Sequence, residues 1–270
     1  MSTTTTEPTA AAAASRGRRG LIVRDYGIVL CFVALFVALS LSTSTFLTER
    51  NLLNILDQSA PLGIITCAIT ICIVCGIFDL STGAIYGLSA VVAAKVASST
   101  TPDVGVAAGV VCGLGLGLAN AVVIHLTRIN SFIGTLATGI VFRGLALLIT
   151  GGAIVTVTDS GFRTLGRSEL LGAKYSVWVF VVFFAITAFL LARTTFGRYV
   201  YAVGGNEEAA RLSGIRTELV RGACYALSGL AAGIAGVLAA SRTASAQADL
   251  GTGLELSAIA AVGIGGSSLM

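Results

Sequence analysis

The sequence has 270 residues, of which 55% are hydrophobic and only 11% are charged, with a mean hydropathy of +0.92 and a net charge of +4. Soluble domains carry about 25% charged residues, and a soluble chain of this size cannot bury so much apolar surface. Composition therefore excludes an ordinary soluble domain and indicates a chain surrounded by membrane lipid, and the absence of a basic stripe with exposed aromatics excludes nucleic acid as a partner.

The first segments in chain order are a polar tail and an apolar run. Residues 1–24 are rich in Ser, Thr and Ala and contain the basic cluster Arg16, Arg18 and Arg19. We expect this tail to be disordered and cytoplasmic, because cations beside a span stay on the cytoplasmic side. The run 26–47 has no small-residue cleavage site followed by a polar domain, so it predicts an uncleaved first span.

Seven further apolar runs follow, most of them near the 20 residues that a membrane helix needs. Backbone polar groups find no water in hydrocarbon, so each run is predicted to be helical. The predicted fold class is therefore all-α, a polytopic transmembrane helical bundle over residues 25–270. The predicted spans after the first are 60–78, 81–98, 104–126, 131–150, 176–193, 219–241 and an incomplete one from 254.

The connecting segments predict the orientation. Counting from a cytoplasmic tail, segments 48–59, 99–103 and 151–175 lie outside the cell, and segments 127–130 and 194–218 lie in the cytoplasm. The last of these is the most basic, as the positive-inside rule requires, with Arg193, Arg198, Arg211, Arg216 and Arg221 in it or at its edges. Three cations in segment 151–175 argue against this orientation.

The sequence shows no arrangement typical of an enzyme. It lacks the G-x-x-x-x-G-K-[ST] phosphate loop, the H-E-x-x-H motif and a Ser/His/Asp arrangement, so we expect no catalytic residues and no cofactor. Cys72 and Cys75 are one helical turn apart in an apolar run, where cysteine behaves as a small hydrophobe. The single histidine, His125, cannot complete a zinc site alone, so no metal is expected.

An acidic residue interrupts the apolar runs in G-I-F-D-L-S-T-G-A-I-Y-G-L-S-A. Asp79 is costly at this position unless it caps a helix or lines a polar cavity. Together with Ser81 it predicts a span that begins within the membrane, as in the broken helices of transporters. The alternative is that Asp79 lies in an aqueous turn between two complete spans.

Two features of the middle spans concern packing and charge. Gly113, Gly117 and Ala121 recur at i, i+4 in G-L-G-L-G-L-A-N, which predicts a face that packs closely on another helix. Arg143 lies inside span 131–150, where an unpaired cation is expensive. We expect it to be paired, to face the bundle interior or to reach the interface, and we favour structural pairing over substrate contact.

The most informative stretch, 195–221, reads T-F-G-R-Y-V-Y-A-V-G-G-N-E-E-A-A-R-L-S-G-I-R-T-E-L-V-R. Asn206 can cap a short helix whose first turn holds Glu207 and Glu208, and Gly214 can end it. Such a helix is suited to docking into another protein. An ordinary amphipathic loop helix is an equal alternative from the residues alone.

This segment resembles the E-A-A-x-x-x-G loop of ABC importer permeases, and its context is similar to the ribose-type permease family. The D-L-S-T-G, R-G-L-A-x-x-x-T-G-G and G-T-G-L-E-L segments resemble the same family. The resemblance implies that segment 194–218 holds a coupling helix that seats in a separate cytoplasmic ATP-binding subunit, where ATP is hydrolysed. The residues that would transmit its closure are Asn206, Glu207, Glu208, Ala209, Ala210 and Gly214.

The function implied by the resemblance is the permease subunit of an ATP-driven importer for a simple, ribose-like sugar in the bacterial plasma (inner) membrane. The partners would be the ATP-binding subunit, an extracytoplasmic sugar-binding protein docked on segment 151–175, a second permease copy in a homo- or heterodimer, and membrane lipid. Family members continue past the G-G-x-S-L element, so the resemblance implies that further spans are missing beyond Met270. Candidate residues for the translocation path, or for structural polar contacts, are Asp79, Ser81, Tyr86, Ser89, Asn120 and Arg143.

Three alternatives remain at this point. The chain is a branched-chain amino acid permease of the same superfamily, a stand-alone secondary carrier or channel, or a non-transporting membrane scaffold. A carrier would tolerate substitution of Glu208 or Gly214, whereas an ABC permease would lose its coupling to ATP hydrolysis. A scaffold would show no uptake phenotype on deletion.

Overall fold

Helices make up most of the chain that the structure describes, residues 27–266 of a computed structural model, which confirms the all-α prediction. The predicted tail 1–24 lies outside the described residues. The helices are α1 (Gly27–Ser42), α2 (Glu49–Val74), α3 (Thr82–Ser99), α4 (Pro102–Thr127), α5 (Ser131–Thr150), α6 (Ser160–Arg167), α7 (Tyr175–Arg193), α8 (Thr195–Gly205), α9 (Glu207–Leu212), α10 (Thr217–Thr243) and α11 (Leu254–Ile264). The strands are β1 (Val155–Thr156), β2 (Glu169–Leu170), β3 (Ala173–Lys174) and β4 (Ser245–Ala246), paired antiparallel as β1–β4 and β2–β3.

Five helices within residues 27–266 are long and apolar enough to cross a membrane: α2, α4, α5, α7 and α10. Helix α5 has the predicted bounds, and α3, α4, α7 and α10 lie close to theirs. α1 and α11 are apolar but shorter.

The prediction that 48–59 connects two spans is wrong, because α2 already begins at Glu49. The low hydropathy of this segment predicts a loop because the segment carries polar residues, but one of these has partners within the fold. Asp57 is buried, accepts a hydrogen bond from Ser176 Oγ at the start of α7, and lies 3.7 Å from Arg242 Nη1 at the end of α10. Because these partners satisfy the Asp57 carboxylate inside the fold, the acid can lie within a helix and does not mark a loop.

The chain divides into two units, Met1–Leu52 and Leu53–Met270. The described part of the first unit contains α1 and the turns after it. There the rings of Phe36 and Phe46 meet edge to face at 5.2 Å, and the Asn51 side chain donates to the Phe46 carbonyl at 2.8 Å. The second unit holds every feature described below.

Helices α3, α4 and α10 form the centre of the second unit and approach each other through glycines. A Cβ atom at Gly113 would lie 2.5 Å from the Gly229 carbonyl oxygen and 2.5 Å from Gly233 Cα. Gly117 meets Gly229 Cα in the same way at 2.9 Å. The close-packing face predicted from the glycine repeat of α4 is therefore confirmed, and its partner is α10.

Segment 151–175 has its own structure and is attached to the end of α10. Gly166 N donates to Ser241 Oγ at 2.7 Å, and Ser241 Oγ donates to the Phe162 carbonyl. Strand β1 pairs with β4 just after α10, with Val155 opposite Ala246. The sequence predicts no helix or strand in this segment, because these elements are too short to show periodicity.

Candidate functional site

The predicted cytoplasmic segment 194–218 folds into two helices, α8 and α9. The Asn206 side chain accepts a hydrogen bond from the Ala209 N–H at 2.9 Å, so it caps α9 as predicted. Gly214 has a φ of +84° and follows the helix end. Its N–H bonds the Arg211 carbonyl at 3.0 Å and the Ile215 N–H bonds the Ala210 carbonyl at 3.1 Å, the two bonds of a Schellman motif.

The acids of α9 form ion pairs rather than only complementing the helix dipole. Glu207 binds Arg221 Nη1 at 2.9 Å, and Glu208 binds Arg211 Nη2 at 2.7 Å. The Glu208 carboxylate raises the pKa of the Arg211 guanidinium above its ordinary value through this hydrogen bond. Both partners of the Glu208 pair are exposed, so it orients side chains and contributes little to stability.

One face of α9 packs inward and the rest faces solvent. Ala210 is buried in a cluster with Val203 and Cys224. Ala209 is exposed, and Leu212 is 79% exposed. The sequence predicts one small, partly apolar face from Ala209, Ala210 and Leu212, and the structure divides it, with Ala210 facing inward and the other two facing outward.

The end of α8 lies directly against the end of α2. A Cβ atom at Gly204 would overlap the Val74 carbonyl oxygen, so the two backbones are in contact. Helix α2 ends immediately after, in a second Schellman motif: Gly76 has a φ of +77°, its N–H bonds the Ile73 carbonyl at 2.9 Å, and the Ile77 N–H bonds the Cys72 carbonyl at 2.9 Å. The segment 75–81 between α2 and α3 is named the helix break below.

The helix break carries a buried polar network centred on Asp79, which is only 1% exposed. Ser81 donates to Asp79 Oδ1 through both its N–H at 3.0 Å and its Oγ at 2.6 Å. Ser228 Oγ of α10 donates to Asp79 Oδ2 at 2.7 Å, and Asn120 Nδ2 of α4 donates to Ser81 Oγ at 2.6 Å. The alternative that Asp79 lies in an aqueous turn is wrong. Ser228 was missed, because one serine in a helix of small residues is unremarkable.

Two hydroxyl groups of α5 satisfy the backbone of the helix break. The Phe78 N–H donates to Ser131 Oγ at 3.2 Å, and the Leu80 N–H donates to Thr135 Oγ1 at 3.0 Å. Away from water these donors would otherwise lack a partner, at considerable cost. The i, i+4 spacing of these two hydroxyls places them on one face of α5 and is the sequence signal for this contact.

A cavity of about 590 Å³ adjoins the helix break, between α3, α5 and the segment 248–255. Its apolar walls include Leu80, Ala84 and Leu136. Arg143 lies on its wall and donates through Nη1 to Thr252 Oγ1. The remaining polar side chains on the wall belong to Asp249 and Glu255, and the four together are named the Arg143 cluster. Of these, only Arg143 was among the predicted path residues.

Tyr86 and Ser89 lie in α3 but belong to neither arrangement. Tyr86 is buried against the glycines Gly236 and Gly251. Ser89 is fully buried, and its Oγ has no hydrogen-bond partner among the described residues. The predicted path candidates therefore divide into three groups: a network (Asp79, Ser81 and Asn120), one cavity residue (Arg143) and two residues packed within the helix core.

Comparison with known proteins places this geometry in context. The family model described as branched-chain amino acid transport system / permease component matches residues 51–270. The chain is 40% identical to the L-arabinose ABC transporter permease protein AraH of Azospirillum brasilense, over 98% of this chain and 79% of that protein. It is 41% identical to the ribose import permease protein RbsC of Bacillus subtilis (92% and 78% covered) and 36% identical to RbsC of Escherichia coli (89% and 77% covered). No solved structure shows a significant match.

Proposed function

This chain belongs to the branched-chain amino acid transport system / permease component family, and from that premise we propose that it is the permease subunit of an ATP-driven ABC importer for a simple sugar. The sugar rests on relatives that are named for arabinose and ribose and that align with most of this chain. The observation that carries the mechanism concerns two neighbouring helices. The exposed helix α9 is capped by Asn206, and the end of α8 just before it is in backbone contact with the end of α2, where the helix break begins.

Helix α9 is the proposed docking element for a cytoplasmic ATP-binding subunit. Its two ends are held by the Asn206 cap and the Schellman motif at Gly214, so the helix is formed before any partner binds. Preorganisation of this kind lowers the entropic cost of association. The exposed Ala209 and Leu212 offer a small apolar contact, and the small side chain of Ala209 permits close approach.

Coupling would run from α9 through α8 to the helix break. Gly204 touches the carbonyl of Val74, the residue directly before the break, and the break holds the Asp79 network. Packed backbones transmit displacement because they are not compressible. A shift of α9 on closure of the ATP-binding subunits would therefore move the segment that carries Asp79 and Ser81.

The other partners follow from the same proposal. An extracytoplasmic sugar-binding protein would dock on segment 151–175, where the turn of the β2–β3 hairpin exposes Leu171. A second permease copy would complete the assembly, and the complex would reside in the bacterial inner membrane. Import of a branched-chain amino acid is the second candidate, since it is the description of the matching family model.

Reconstitution of the chain with its ATP-binding subunit and binding protein in proteoliposomes tests the proposal. We expect uptake of labelled ribose or arabinose, not leucine, and only with ATP. Ala209→Trp should abolish stimulated ATP hydrolysis and uptake. The control Ser99→Trp is at an equally exposed site but on the predicted outer side, and it should retain both. Uptake without ATP, or full uptake by Ala209→Trp, would support a secondary carrier instead.

The orientation has its own test. A cysteine introduced as Glu208→Cys should react with an impermeant maleimide only from the cytoplasmic side, because segment 194–218 is predicted to face the cytoplasm. Introduction as Leu171→Cys should give the opposite result, since segment 151–175 is predicted to lie outside. Labelling of position 208 from outside would contradict docking of α9 to an ATP-binding subunit.

A further inference from the structure

We propose that the Arg143 cluster is a transit site for the sugar, in which the guanidinium donates to sugar hydroxyl oxygens while Asp249 and Glu255 accept from sugar hydroxyl hydrogens. This inference rests on the proposed function and assigns a place to the substrate within it. The observation behind it is that three charged side chains line one cavity without forming ion pairs with one another.

Unpaired charges are the unusual feature of this cavity. Among the described residues, Glu255 Oε2 is buried without a hydrogen-bond partner, and the carboxylate of the exposed Asp249 has no hydrogen-bond or ion-pair partner in the protein. Arg143 donates only to the neutral hydroxyl of Thr252. Charged groups inside a membrane protein normally pair with each other or mark a substrate path. Here they do not pair, although they line the same space.

The cluster is held in place by close backbone packing rather than by its own contacts. A Cβ atom at Gly83 of α3 would overlap both the Glu255 carboxylate and the Gly251 carbonyl, so the absence of a side chain there makes room for the acid. At Gly87, a Cβ atom would lie 2.5 Å from the Leu250 carbonyl oxygen. Segment 248–255 therefore lies directly on α3, which holds both acids in place.

The donor and acceptor set matches a neutral polyol. A sugar hydroxyl both donates and accepts, so it can bridge a guanidinium and a carboxylate. One cation and two carboxylates leave an excess of one negative charge, which disfavours anionic sugar phosphates. The cavity volume of about 590 Å³ is within the range of small-molecule sites, roughly 300–1,000 Å³. Leu80 and Leu136 supply apolar walls for the carbon skeleton of the sugar.

The cavity also shares a wall with the helix break. Leu80 belongs to both. Gly139 of the cavity wall packs against Ser81, since a Cβ atom built on Gly139 would lie 3.3 Å from Ser81 Cα. Movement of the break would therefore reshape the site. A zwitterionic amino acid would also suit a guanidinium opposite carboxylates, but the relatives described above are named for sugars.

The test uses the full complex in proteoliposomes with labelled ribose, arabinose and leucine. Arg143→Met, Asp249→Asn and Glu255→Gln should each lower the maximal sugar uptake about tenfold, as expected for loss of a hydrogen bond to a charged group. The half-saturating sugar concentration should not change, because the binding protein sets it. ATP hydrolysis stimulated by the binding protein should persist, so less sugar is moved per ATP, and Arg143→Lys should restore part of the uptake.

A steric pair and a charge control complete the design. Leu136→Trp should fill the cavity and block uptake, whereas Ile133→Trp, on the same helix but not on the cavity wall, should not. Asp103→Asn, an exposed acid at the start of α4, should leave uptake unchanged.

The outcomes separate the two proposals. Wild-type import of leucine and of neither sugar would overturn the proposed function. Wild-type sugar import that the three cluster variants and Leu136→Trp all retain would overturn the transit site alone. Loss of uptake together with loss of stimulated ATP hydrolysis and of thermal stability would also count against it, because that pattern indicates a structural role.

Discussion

Helices α2 and α9 end in the same backbone motif, but the residues around and after the two ends differ in burial. Gly76 and Gly214 have φ angles of +77° and +84°, and the same pair of backward hydrogen bonds closes each helix. Gly214 lies in the exposed loop, where water serves the free backbone groups. Gly76 is exposed as well, but its neighbours Cys75 and Ile77 are buried. The N–H groups of Phe78 and Leu80 that follow in the helix break depend on Ser131 and Thr135 of α5.

The geometry of a helix end is therefore set by a few neighbouring residues, whereas the free-energy cost of disturbing it depends on whether its polar groups can reach water. An exposed helix end that loses a contact is rehydrated. A buried one keeps an unsatisfied polar group, which costs about 1–3 kcal/mol. We therefore expect substitutions at the buried end to act on the whole fold and those at the exposed end to act locally.

The largest effect is expected at the centre of the buried end. Asp79→Ala removes the acceptor of three hydrogen bonds from Ser81 and Ser228 and should lower the free energy of unfolding by about 3 kcal/mol. Reaction of the buried thiols with a fluorescent maleimide during heating in detergent measures the shift. Asp103→Ala, an exposed acid, is the matched control. Equal melting of the two variants would contradict a buried network.

The contact that joins the two ends comes next. Gly204→Ala places a methyl group on the Val74 carbonyl and should cost about 2 kcal/mol, as overpacking does. Gly205→Ala, the neighbouring residue, meets open space and should be neutral or slightly stabilising. The same thermal thiol-reactivity assay compares them. Equal thermal stability of the two variants would contradict the close backbone contact between α8 and α2.

The two glycines themselves sharpen the comparison. Gly76→Ala and Gly214→Ala each force a side chain into the left-handed region, at about 1–2 kcal/mol. Neither new methyl group meets an atom closer than 3.6 Å, so the local cost is the same. Thermal stability should fall for Gly76→Ala, whereas for Gly214→Ala only hydrogen exchange in α9 should rise. Asparagine at either site should be better tolerated than alanine.

The smallest effect is expected at the exposed cap. Asn206→Ala removes the acceptor of the Ala209 N–H and should destabilise α9 by about 1 kcal/mol. Hydrogen exchange of the Ala209 amide should accelerate about fivefold, and Asn206→Asp should restore protection because it keeps the acceptor. Unchanged exchange in the alanine variant would show that the cap does not hold the helix.

Prediction from sequence succeeded where the evidence was local. The bounds of α5, the Asn206 cap and the Gly214 end depend on residues within a few positions of each other. It failed at 48–59, because Asp57 makes the segment look like a loop although its partners Ser176 and Arg242 are far along the chain. The cavity acids Asp249 and Glu255 were likewise not assigned to the path, since nothing local relates them to Arg143.

The sequence by itself determined the membrane class, the helical fold, the family and the short capped helix α9, because hydropathy, capping chemistry and motif spacing act over one or two helical turns. Only the tertiary structure decided which polar groups meet. Ser228 bonds Asp79 from 149 residues away, and Arg143 bonds Thr252 from 109 residues away. These pairings depend on which helix faces pack together, here through glycines of α3, α4 and α10, and that choice is made by the whole bundle.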